Sequence, residues 1–147
     1  MEAAAKLSSS LEDYLEAIYH LECRDNSARA SDIARRLDVS GASVTGALHA
    51  LSSKKLINYK PYQDITLTAE GRRLAGEVVS RHQTLHSFFV NVLDVEEELA
   101  QRAACRMEHS LPRTILERLQ NFVEYIDASG NRGDELIEKF KSSIAKG

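Results

Sequence analysis

Three short runs of this 147-residue chain place metal-competent side chains at helical spacing. Asp13, Glu16 and His20 stand at i, i+3 and i+7, His82 and His86 at i and i+4, and Cys105, Glu108 and His109 at i, i+3 and i+4. On an α-helix these separations put the side chains of each run on one face. Two ligands three or four residues apart then converge on one cation without bending the backbone. Each run also has a plainer reading. Acids in a first helical turn are commonly solvated, and a His pair at i, i+4 is more often incidental than ligating. His82 continues the apolar line of Val78, Leu85 and Phe89, as a hydrogen-bonded core histidine would. A thiol, a carboxylate and an imidazole on one face, as in Cys105-Glu108-His109, admit either reading. Cys23 and His49 lack partners and receive no role, and Met107 reads as core packing.

The elements that must position these groups follow from periodicity and caps. Ser8, Ser9 or Ser10 can cap a first helix, with Glu12 and Asp13 in its first turn and Leu11, Tyr14, Leu15, Ile18 and Leu21 at the helical period. It should stop near Arg24-Asp25-Asn26-Ser27. A short helix capped by Ser31 and ending at Leu37, the turn Asp38-Val39-Ser40-Gly41, and a second helix over 42–51 make a helix-turn-helix pattern. Residues 56–60 and 64–68 read as two short strands around Pro61-Tyr62-Gln63, which would be a wing. Thr68 is placed to cap a long helix over 69–93. A further helix runs from Asp94 to Leu111, and another follows Pro112 over 113–126. Residues 128–133 read as a loop, and 134–145 as a last amphipathic helix. The expected fold is mainly α: a winged helix-turn-helix over 1–74 followed by an all-helical metal-binding and dimerisation domain over 75–147.

Composition bounds the function classes. Apolar residues make up 43% and charged residues 28%, ordinary for a globular chain, and two prolines with seven glycines argue against disorder. No run approaches the roughly 20 apolar residues that span a bilayer. The N-terminus lacks a secretory layout, and two distant cysteines make no disulfide framework, so a cytoplasmic location is expected. The net charge is −3, but residues 27–75 hold eight basic against four acidic side chains, leaving −7 for the remainder. A basic middle between acidic flanks suits a face that meets phosphate, although such asymmetry is also common without function.

The order of these features resembles one family. An acidic cluster, a helix-turn-helix with wing, a His cluster and a Cys-Glu-His cluster follow one another, as in the diphtheria toxin repressor and manganese transport regulator family of metal-dependent repressors. The resemblance runs from about residue 10 to 125. Its specific parts are Glu12-Asp13-Tyr14-Leu15-Glu16-Ala17-Ile18-Tyr19, Ala30-Ser31-Asp32-Ile33-Ala34 with Ser43-Val44-Thr45, Leu67-Thr68-Ala69-Glu70-Gly71, and Arg81-His82 with Ala104-Cys105-Arg106-Met107-Glu108-His109. It implies the two-domain form without the C-terminal SH3-like domain. It implies one metal site from Asp13, Cys105, Glu108 and His109, and a neighbouring one to which Glu16 and His82 contribute. The chain is a hybrid of the family's two types. Manganese-type members are similar at Asp13 and Glu16 but carry a carboxylate where Cys105 stands. Iron-type members are similar at Cys105 but carry a thioether where Asp13 stands, and some have a His in place of Gln101 and a Glu in place of His86.

A thiolate with imidazole and carboxylate suits Fe²⁺, Co²⁺, Ni²⁺ or Zn²⁺ better than Mn²⁺. Cys105 thus makes Fe²⁺ the expected cofactor, with Mn²⁺ as the alternative and Zn²⁺ or Co²⁺ as substitutes in vitro. The expected function is a metal-activated repressor of metal-uptake genes, a homodimer on a double-stranded operator with reading helices roughly 34 Å apart. Ser40, Ala42, Ser43 and Thr45 should face the groove, and Arg29, Arg35, Lys54 and Lys60 are candidate phosphate contacts, each also readable as a solvated charge. No membrane and no small-molecule substrate are expected. The rivals are a winged-helix regulator with an organic effector and an enzyme. Against the enzyme, no additional nucleophile or Gly-rich substrate loop is evident.

Overall fold

A computed structural model describes residues 6–146 of the chain. It is mainly helical and separates into two compact units, one up to Val79 and one from Ser80 onward.

The first unit begins with α1, Ser9–Asp25. Of the three candidate serines, Ser8 is the cap: its hydroxyl accepts from the Leu11 N–H at 3.2 Å. The helix ends at Asn26, whose left-handed backbone (φ 66°) lets its N–H reach the Glu22 carbonyl. α2, Ala30–Leu37, starts one residue before Ser31, so Ser31 lies inside the first turn, and Arg29 holds the cap position with no side-chain bond. α3, Gly41–Ser53, is capped by Ser40, which accepts from the Ser43 N–H at 3.2 Å.

The expected strands shrink to β1, Ile57–Asn58, and β2, Thr66–Leu67, paired antiparallel with Ile57 opposite Leu67 and Asn58 opposite Thr66. The backbone of Ala28 extends the ladder by bridging Ile65, with both N–H···O bonds at 2.8 Å. Leu15, Ile18, Ile33, Val44, Leu48, Leu51 and Ile65, all essentially inaccessible, form one core beneath the three helices and the hairpin.

Glu22 ties the hairpin to α1. Its largely buried carboxylate accepts from the Leu67 N–H at 2.7 Å and pairs with Arg72. α4, Ala69–Ser87, starts where Thr68 accepts from the Gly71 N–H at 3.1 Å. Gly71 is required there: a Cβ would stand 1.8 Å from the Leu56 carbonyl oxygen.

In the second unit the α4 residues from Ser80 to Ser87 run into a π-helical turn, Phe88–Val92. The expected helix from Asp94 is shorter at both ends. Asp94 is left-handed (φ 56°), and α5 is Glu97–Met107. Its cap is Glu96, whose carboxylate accepts from the N–H groups of Glu98 and Leu99 at 3.0 and 3.1 Å. These bonds favour the ionised form and hold the Glu96 carboxyl below its ordinary range.

α6, Arg113–Ala128, and α7, Asn131–Ala145, make a helical hairpin. The loop expected over 128–133 is only Ser129 and Gly130. Gly133, which reads as a loop residue, sits inside α7, where a Cβ would lie 2.1 Å from the Ile126 carbonyl oxygen. Its role is to let the two helices approach. The core of this unit is small: Leu85, Ala104 and Leu116, with Phe89, Leu111 and Leu119 packed around them.

Candidate metal centre and nucleic-acid interface

In the second unit α4 and α5 bring together four of the six residues implied as ligands. The centre is Glu108, whose side chain is almost fully buried. His82 Nδ1 lies 2.6 Å from Glu108 Oε2, and His109 Nε2 lies 3.3 Å from Glu108 Oε1. Cys105 Sγ is 3.8 Å from the same His82 nitrogen. Taking a carboxylate out of water costs several kcal/mol unless partners compensate it. The Glu108 carboxylate lies between two imidazoles, with the exposed Cys105 thiol beside one of them, and a donor set of this N and O chemistry fits a borderline divalent cation.

The three C-terminal members are not all on a helix, as their spacing suggests. α5 ends at Met107, so Glu108 is its C-cap and His109 lies just beyond. Glu108 keeps a helical backbone (φ −58°, ψ −29°), and this preserves the convergence that the i, i+3, i+4 spacing implies.

Around this group lie partners that spacing does not reveal. His82 Nε2 is 3.0 Å from Gln101 Oε1, and His86 Nε2 is 2.7 Å from Glu97 Oε1. The His82 and His86 rings stack with centroids 6.1 Å apart and planes 13° from parallel. Gln101 and Glu97 are 19 and 11 residues from their imidazoles. Only the packing of α5 against α4 makes them neighbours. The two remaining implied ligands, Asp13 and Glu16, belong to α1 in the first unit, where Glu16 Oε1 is 3.5 Å from His20 Nε2.

The implied DNA-facing residues also lie in the first unit. Ser40, Ala42, Ser43 and Thr45 are all exposed at the start of α3. All three of their hydroxyls are engaged locally: Ser40 caps the helix and donates its hydroxyl to Ser43 Oγ at 3.0 Å, and Thr45 Oγ1 donates to the Gly41 carbonyl at 3.0 Å. Arg29 pairs with Asp64 at 3.6 Å and Arg35 with Asp32 at 3.3 Å, both on the surface, where such pairs are weak and exchange readily for other anions. Lys54 and Lys60 are exposed, Lys54 as the C-cap of α3. No helix among the described residues is long and apolar enough to cross a membrane.

Comparison with known proteins accords with both halves. Residues 6–65 match the family described as iron dependent repressor, N-terminal DNA binding domain, and residues 68–137 match iron dependent repressor, metal binding and dimerisation domain. An uncharacterized HTH-type transcriptional regulator of Methanocaldococcus jannaschii is 38% identical over 120 residues, covering 80% of this chain and 95% of that protein. The HTH-type transcriptional regulator MntR of Bacillus velezensis is 33% identical over 127 residues, covering 86% of this chain and 89% of that one.

Among solved structures, the manganese regulator SloR superposes with a TM-score of 0.70 at 29% identity over 78% of this chain and 54% of that one. IdeR of T. acidophilum superposes with a TM-score of 0.70 at 26% identity, over 77% and 53%. This chain thus spans about half the length of those two solved proteins. The chain belongs to the iron-dependent repressor family, the diphtheria toxin repressor and manganese transport regulator group of metal-dependent, DNA-binding transcriptional repressors.

Proposed function

We propose that this chain is a cytoplasmic, homodimeric repressor that binds its operator when loaded with Fe²⁺ and controls metal-uptake genes. The observation that carries the reading is the buried Glu108 carboxylate held between His82 and His109, with the exposed Cys105 thiol beside His82. Asp13 and Glu16 of α1 complete the set, Asp13 with Cys105, Glu108 and His109, and Glu16 with His82. A divalent cation held there supplies the positive charge that offsets repulsion among the carboxylates of Asp13, Glu16 and Glu108. The cation thereby biases the chain toward its operator-binding conformation. Shifting such an equilibrium from 1:99 to 99:1 takes about 5.5 kcal/mol of preference for that conformation.

Cys105 favours Fe²⁺, because a soft thiolate discriminates against Mn²⁺. A Mn²⁺-responsive reading draws support from two similar solved proteins, the manganese regulator SloR and the manganese-activated repressor ScaR. On the DNA side, α3 presents short side chains, so phosphate contacts from Arg29, Arg35, Lys54 and Lys60 and the shape of the duplex carry much of the recognition. The dimer forms through the second unit, whose exposed Leu99, Ile115 and Phe122 lack an intramolecular core to enter.

Anaerobic titration of Fe²⁺, Mn²⁺ and Zn²⁺ against fluorescent promoter DNA tests the reading. Fe²⁺ should activate binding in the wild type, and Cys105→Glu should move the preference toward Mn²⁺. Activation by no metal contradicts the function. An unchanged order of metals in Cys105→Glu contradicts the Fe²⁺ assignment alone.

A further inference from the structure

Two side chains of α5 that are not among the implied ligands reach across to imidazoles of α4. Gln101 Oε1 lies 3.0 Å from His82 Nε2, and Glu97 Oε1 lies 2.7 Å from His86 Nε2. His82 and His86 are one helical turn apart on α4, and Gln101 and Glu97 are one turn apart on α5 in the opposite sense. The two contacts are therefore neighbouring rungs between antiparallel helix segments. The imidazoles they hold stack with planes 13° from parallel.

The Gln101 rung constrains the chemistry of His82. A neutral imidazole has one N–H and one lone pair, and a carbonyl oxygen only accepts. The proton facing Gln101 is therefore on Nε2, and the lone pair belongs to Nδ1. Nδ1 is the nitrogen that faces Glu108 Oε2 at 2.6 Å, with Cys105 Sγ 3.8 Å away. A cation bound at Nδ1 displaces the proton shared across that 2.6 Å contact to solvent, whereas the Nε2 proton stays on Gln101. The folding of α5 does not ask for this rung. Gln101 is exposed, and water would satisfy its amide equally while leaving the side chain its rotamer freedom.

We propose that Gln101 is a positioning residue of the metal centre: it fixes the tautomer and the ring plane of His82, so that His82 takes the cation through Nδ1. Partners that orient a ligating imidazole in this way are worth about 10–100-fold in metal affinity, and the exposure of the Gln101 amide points to the lower end. The inference rests on the reading of His82 as a metal ligand, and its test separates the two.

Full-length protein is titrated with Zn²⁺ in reducing, oxygen-free buffer against a competing chelator, and the ring nitrogens of His82 are followed by ¹H–¹⁵N correlation spectra. Gln101→Met, which keeps the length and helix propensity but offers no oxygen, should weaken Zn²⁺ binding about tenfold. The Tm of the same variant in excess chelator should lie within about 2 °C of wild type, as for a surface substitution. Gln101→Glu, which keeps an acceptor, should bind at least as tightly as wild type. In the His82→Ala background, where no ring is left to orient, Gln101→Met should change the Kd by less than about twofold. In the Zn²⁺-loaded wild type the His82 proton should be on Nε2.

Equal Zn²⁺ affinities of wild type and Gln101→Met would overturn the proposal, as would an equal loss in Gln101→Glu. A loss that persists in the His82→Ala background would make Gln101 act other than through the ring and also overturn it. So would a Zn²⁺-loaded His82 with its proton on Nδ1. A wild type that binds no Zn²⁺ would instead remove the metal-centre reading itself, and this inference with it.

Discussion

The two units of this chain close their cores to different degrees. The first buries Leu15, Ile18, Ile33, Leu48, Leu51 and Ile65 in one cluster shared by three helices and a hairpin. Among its described residues, Tyr62 is the one large apolar side chain left exposed. The second has a cluster of three buried residues, and it exposes Leu99, Met107, Ile115, Phe122, Tyr125, Leu136, Phe140 and Ile144. A helix face that stays apolar in water is a face awaiting a partner. The first unit buries its large apolar side chains within itself, whereas the second, which holds Glu108 and its imidazoles, leaves many of its own in water.

The largest effects should fall in the first core. Leu48→Ala removes a fully buried side chain from a shared cluster and should cost about 3–5 kcal/mol in denaturant unfolding. A loss below about 1 kcal/mol would mean that this core is not the self-sufficient one.

Next comes Glu22→Ala. It leaves the Leu67 N–H without its buried acceptor and frees Arg72, for about 2 kcal/mol and a loosened hairpin. Faster amide exchange at Leu67 should report it.

In the second unit the expected effect is on association. Phe122→Asp should weaken the dimer by tenfold or more in sedimentation equilibrium, about 1.4 kcal/mol, and shift the concentration dependence of Tm. A dimer of unchanged strength would place the interface elsewhere.

The smallest is Glu96→Gln. Because the folded Glu96 carboxyl titrates below its ordinary 4.5, its charge stabilises the cap of α5 above that pH, and the contribution is lost as pH falls through the lowered value. The Gln variant should be slightly less stable near neutrality, and its Tm should fall less on acidification toward pH 3.

The same contrast governs what could be read from the sequence. Local signals placed the helices well where the chain itself supplies the stop or start: Ser8 and Ser40 cap, Asn26 turns left-handed, and Thr68 opens α4. They failed where tertiary packing decides. Gly133 reads as a loop residue, yet it belongs to α7, because only glycine fits against the Ile126 carbonyl. Ser31 resembles a cap, but α2 starts earlier at Ala30.

For the site, helical spacing grouped Cys105, Glu108 and His109, and the structure adds His82 to them across 26 residues of sequence. The partners Gln101 and Glu97 were not legible as partners, because periodicity within one helix carries no information about which residues of another helix will face it. His49 reads as partnerless in the sequence for the same reason: its neighbour Tyr59 is on the hairpin.

The central claim is that metal and operator bind one conformation through ligands supplied by both units. Linkage makes this measurable, because the factor by which the cation tightens DNA binding must equal the factor by which DNA tightens the cation. The Kd for Fe²⁺ should be measured anaerobically with and without saturating operator, in the wild type and in Asp13→Ala. The wild type should bind Fe²⁺ more tightly on DNA by about the same factor that Fe²⁺ improves its operator affinity, and Asp13→Ala should lose most of that coupling while remaining a folded dimer. Identical Fe²⁺ affinities on and off DNA in the wild type, or full coupling retained in Asp13→Ala, would contradict the account.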